Sequence, residues 1–92
     1  MFPKELKIGG RKFKIQFIDD RELPDYCAGR LLDEAENIIE INDRYKNTEM
    51  AWIILFHEVF HAVNAELEET TTEFLAQAVY QILRDNNINL HN

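Results

Sequence analysis

His57, Glu58 and His61 belong to the run His57-Glu58-Val59-Phe60-His61, which sets two imidazoles four positions apart with a carboxylate beside the first. On an α-helix such positions lie about 40° apart on one face, so both imidazoles can reach a single metal ion, and Zn²⁺ takes nitrogen donors of this kind. Glu58 falls about 100° round from His57, where its carboxylate would flank a water activated by the metal. The chemistry that fits is metal-assisted hydrolysis with Glu58 as general base. A bland alternative is two core histidines bonded to each other and to nothing else. An apolar helix makes that costly, because two imidazoles and an intervening carboxylate are hard to satisfy there without a cation.

A zinc site that keeps a position open for water needs three protein ligands. The segment from Glu66 to Glu73 offers carboxylates and no histidine, so a His₂Glu site is expected. Glu73 is the first choice, because packing of the next helix against the first would bring it to the metal. Glu69, one turn earlier, is the alternative. Glu73 also has a competing role, since Thr70-x-x-Glu73 reads as a capping box. A donor for the substrate's carbonyl oxygen is harder to find. Tyr80 and Tyr45 qualify by type, but each reads better as a packing or surface tyrosine. Asn64, one turn after His61, is a candidate for orienting it. His91 lies in the tail and is not expected at the site.

Two helices must position these groups. Between Met50 and Val63 the only polar side chains are His57, Glu58 and His61. That predicts a helix from Asn47 or Thr48 to about Glu66, apolar nearly all round and covered on most sides. A second helix is predicted from about Thr70 to Asn86, with Phe74, Leu75, Ala78, Val79, Ile82 and Leu83 at helical spacing. Ala76, Tyr80 and Leu83 extend its apolar surface towards Glu73. Before the helices, residues 1–42 read as mainly β. Gly9-Gly10 joins Leu6–Ile8 to Arg11–Ile18 as a hairpin, with Phe13, Ile15 and Phe17 on the core side. A second hairpin is expected from Ala28–Leu32 through an Asp33–Glu36 turn into Ile38–Ile41. The fold class is therefore α+β, a small antiparallel sheet of three or four strands packed on two main helices, in a single domain over residues 1–92.

Composition narrows the function classes. The net charge is −7, distributed so that residues 1–18 carry five basic side chains against Glu5 while the remainder is strongly acidic. Nucleic acid is an unsuitable partner for such a domain. Lys4, Lys7, Lys12 and Lys14 read as guards against edge-to-edge strand pairing. The longest apolar run, Met50–Phe56, is too short to span a bilayer, and one cysteine, Cys27, cannot form an internal disulfide. Both point to a cytoplasmic protein.

The motif His57-Glu58-x-x-His61, followed by Glu73-Phe74-Leu75-Ala76 on the next helix and ending in Tyr80-Gln81-x-Leu83-Arg84-Asp85-Asn86, resembles the gluzincin metallopeptidases, in particular the minimal ImmA/IrrE-like domains of phages and mobile elements. The resemblance covers about residues 28–86. It implies a zincin-like fold, one Zn²⁺ held by His57, His61 and Glu73, Glu58 as general base, and cleavage of a peptide or protein substrate. In the resembled fold an extended substrate pairs with an edge strand beside the cleft, and Ile38–Ile41 is the nearest candidate. The competing expectation is a catalytically silent, zinc-stabilised interaction module. The link between the two helices is short, and larger relatives carry further domains.

Overall fold

The computed structural model describes residues 2–32 and 36–88. Strands β1 (Glu5–Ile8) and β2 (Arg11–Ile18) form the first hairpin, with Leu6 opposite Phe13 and Ile8 opposite Arg11. Gly9 and Gly10 have φ of 57° and 84°, the two positive values that a type I′ turn requires. Strands β3 (Gly29–Leu32) and β4 (Ile38–Asn42) pair antiparallel as the second hairpin. Of its expected turn only Glu36 lies within the described residues, and Asp33 to Ala35 lie outside them.

The sheet order is β1-β2-β4-β3, and β2 runs parallel to β4, with Phe17 opposite Ile41. The sheet is thus mixed, where a purely antiparallel one was expected. The reason is the connection after β2. It turns through a 3₁₀ segment at Asp20–Glu22 and delivers β3 to the far edge, and β4 then fills the gap between β3 and β2. Strand β4 is therefore interior, and the expectation that Ile38–Ile41 forms an edge is corrected. Ile39 and Ile41 are 0 % exposed, as the core side of a central strand should be. The opposite face of β4 is polar but covered. Glu40 pairs with Arg30 of β3. The amide of Asn42 donates to the carboxylate of Asp20 and to the Cys27 carbonyl, while its oxygen accepts from the Arg44 N–H.

Helix α1 (Glu49–Val63) is the central element, packing on β1, β3 and β4 and also on α2 (Glu69–Asp85). This double burial explains why α1 is apolar nearly all round. Its approach to the sheet is close at Gly29, where an added Cβ would lie 2.5 Å from Cγ2 of Ile54 and 2.9 Å from the Glu40 carbonyl oxygen. Arg11 of β2 donates to the Ala62 carbonyl at 3.4 Å, placing a cation on the last turn of α1 where the helix dipole favours it. The helix stops at Val63, three residues before the expected end. Asn64 caps it there and accepts the Glu66 N–H on its side-chain oxygen at 3.0 Å, starting a tight reversal.

Helix α2 shows a face other than the expected one. Thr72, Ala76 and Tyr80 are buried, while Phe74 is 68 % and Ile82 51 % exposed. The small side chains of Thr72 and Ala76 let the two helices approach, so the contact forms on that face and the bulkier apolar stripe points away. The capping box also does not form. The helix starts at Glu69, its N-cap is Glu68, and Glu73 is engaged elsewhere. Among the described residues, no helix is long and apolar enough to cross a membrane.

Candidate metal centre

The five-residue link 64–68 folds α2 back along the end of α1, so the first turns of α2 face the last turns of α1. His57 and His61 present their Nε2 atoms to one another at 3.2 Å. Into that gap α2 brings Glu69, whose Oε1 lies 3.1 Å from Nε2 of His57 and 2.6 Å from Nε2 of His61. A tetrahedral ion with ligands at about 2.0–2.1 Å keeps them roughly 3.3 Å from one another, so a triangle of this size suits one ion. Among the described residues, His57, His61 and Glu69 form a group able to hold a metal, with their ligand atoms all within 4.8 Å of one another.

Glu73 is placed differently. Its Oε2 lies 2.9 Å from the other nitrogen of His57, Nδ1, and its Oε1 accepts from the amide of Gln77 at 2.9 Å. A carboxylate accepts only, so the His57 proton belongs on Nδ1 and its Nε2 presents a lone pair. That lone pair faces the Glu69 oxygen. Two acceptors opposed at 3.1 Å need a proton or a cation between them, which is how the donor set fits a metal. The carboxylate beside the Nε2 pair is Glu69, and Glu73 orients the ring from behind. Burial pulls the Glu69 carboxyl upwards, but the imidazoles of His61 and His57 beside it outweigh this and hold it below its ordinary value.

Glu58 points inward from the same turn as His57. It is 7 % exposed, and burial raises its pKa against the opposing pull of the two histidines. It lines a cavity of about 270 Å³ together with His57, Glu69 and Glu73, walled by Gly29 of β3 and by Ile54. The Glu58 carboxylate, the His57 imidazole and the carboxylates of Glu69 and Glu73 thus share one cleft, beside the edge strand β3.

Other expected groups lie elsewhere. Tyr80 borders a different cavity with Phe2 and Trp52, where burial, then a hydrogen bond to Glu49, raises its pKa. Tyr45 is half-buried in the 3₁₀ segment Asp43–Tyr45 and does not line the metal-side cavity. Asn64 serves the helix end, not His61. Cys27 is half-buried, its thiol directed to the Gly29 carbonyl at 3.2 Å. His91 lies outside the described residues. A lining residue that sequence reasoning did not single out is Tyr26. Its placement depends on a turn that the local Pro24-Asp25-Tyr26-Cys27 sequence does not announce. No protein-family model, no curated protein and no solved structure matches this chain.

Proposed function

We propose that this protein is a zinc-dependent endopeptidase, and the observation that carries the proposal is the meeting of His57, His61 and Glu69 around one point, with the buried carboxylate of Glu58 in the cavity that His57 and Glu69 also line. His57, His61 and Glu69 would hold the ion, and Glu73 fixes the tautomer and plane of His57. When bound, zinc supplies Lewis acidity towards a water and a peptide carbonyl. Glu58 accepts the proton of the attacking water on a carboxylate oxygen. It then delivers that proton to the departing amine nitrogen as the C–N bond breaks, so that water is added across the peptide bond. Its buried setting suits a base that must also act as an acid. An extended peptide would lie along β3, whose outer edge is unpaired among the described residues and adjoins the cavity, and would gain backbone hydrogen bonds there. The lone Cys27 fits a protein working in the reducing cytoplasm.

The test is zinc content and cleavage of a randomised peptide mixture by wild type and Glu58→Gln. The expected result is stoichiometric zinc in both and chelator-sensitive cleavage by wild type, reduced at least about 10²-fold in the variant. Equal cleavage by the two proteins would remove Glu58 from the mechanism. A second reading, a silent zinc-stabilised interaction module, draws on the exposed apolar ridge of Phe74 and Ile82 on α2. Zinc retained with no cleavage of any peptide would favour it.

A further inference from the structure

Peptide hydrolysis needs a donor for the carbonyl oxygen, which gains negative charge as water attacks. We propose that Tyr26, which lines the cavity together with His57 and Glu58, is that donor: its phenol O–H would hydrogen-bond the carbonyl oxygen of the bond being cut. This role rests on the hydrolytic reading above. Among the side chains lining the cavity, Glu58, Glu69 and Glu73 offer carboxylates, and the Nδ1 proton of His57 is held by Glu73. Met50, Ile53 and Ile54 have no polar hydrogen, and the thiol of Cys27 is directed to the Gly29 carbonyl. Tyr26 is left as the neutral donor. Its proton stays on the phenol throughout, and the hydrogen bond strengthens as the oxygen becomes negative.

The backbone supplies an independent argument. The Cys27 N–H bonds the Pro24 carbonyl at 3.0 Å, closing a turn in which Tyr26 has φ of 62° and Asp25 is not among the positive-φ residues. This is the type II pattern, whose third residue is normally Gly or Asn. The other non-glycine residues with positive φ are Asn37, Asn47 and Asn87, the type that tolerates it. Among the described residues, only at Tyr26 does a bulky side chain stand there, and it is 105 % exposed, so no packing offsets the strain. The turn is also anchored. Leu23 is buried before it, and the Asn42 amide donates to the Cys27 carbonyl at 3.2 Å after it. A strained, anchored and uncovered aromatic at the rim of a cleft is an arrangement that a bound peptide completes.

Two variants test the role. Tyr26→Phe keeps the ring and the turn but removes the O–H. With a randomised quenched-fluorescent peptide mixture, its kcat should fall about 10²-fold while apparent KM and zinc affinity stay within twofold of wild type. Tyr26→Asn should raise Tm by roughly 3 °C, because Asn accepts the left-handed conformation. A residue kept for stability would lower Tm instead, and that result, or an unchanged kcat in Tyr26→Phe, overturns the proposal. A wild type that binds zinc but cleaves nothing overturns the hydrolytic reading and the donor role with it. An active wild type matched by Tyr26→Phe overturns the donor alone.

Discussion

Glu69 and Glu73 are chemically the same and one helical turn apart, yet the two nitrogens of His57 separate them. Glu69 meets Nε2, where a metal would stand, and Glu73 meets Nδ1. Their substitutions should therefore differ in size. In the proposed site Glu69→Gln would remove a direct ligand and should weaken Zn²⁺ binding more than Glu73→Gln, which would remove an orienting partner and should weaken it roughly 10–100-fold. Competition against a chromophoric chelator measures both, and the reverse order would return the ligand role to Glu73. The pair His57 and His61, with Glu58 between, was legible in the sequence because helical spacing alone sets their geometry. The choice between the two glutamates was not. It depends on where α2 begins and how it is rotated about its axis, and one residue of shift turns a side chain by about 100°.

The same rotation decides which side of α2 is structural. The stripe of Phe74, Ala78 and Ile82 is the more hydrophobic by pattern, but the contact with α1 uses Thr72, Ala76 and Tyr80. Ala76→Leu should force the helices apart and cost about 1–3 kcal/mol in chemical denaturation. Phe74→Gln should change stability by no more than about 0.5 kcal/mol. If the two effects were exchanged, the helix would be turned the other way. The strands were read more reliably. Alternation gave Phe13 and Ile15 to the core, and the Gly9-Gly10 turn fixed the first register. What alternation does not encode is strand order, so the insertion of β4 between β2 and β3, and the burial of Glu40 and Asn42 that comes with it, appeared only in three dimensions. Burying those two groups depends on partners as distant in sequence as Arg30 and Asp20.

At the scale of the whole molecule, 92 residues enclose a modest core, with Phe13, Ile39, Ile41 and Leu55 at its centre. A ligand that binds only the folded state adds to its stability by mass action. Zinc at a hundredfold excess over its dissociation constant should contribute about 2.7 kcal/mol, raising Tm by roughly 10–20 °C, and a chelator should reverse the change. Differential scanning calorimetry reads this directly. A Tm unmoved by zinc would mean that the three side chains do not form a site in solution.

The short reversal at residues 64–68 has a kinetic consequence. All the groups that would grip the metal lie between positions 57 and 73, so their convergence closes only a small loop, and the entropy lost in doing so is correspondingly small. The sheet makes a heavier demand, since Lys14 must find Ile38 and Ile18 must find Asn42 in parallel register across a long excursion of chain. Pairing of that kind is slow, whereas a helical hairpin assembles quickly. The ligand cluster therefore belongs to the early-forming part of the molecule, and the wall that β3 gives its cleft belongs to the late-forming part.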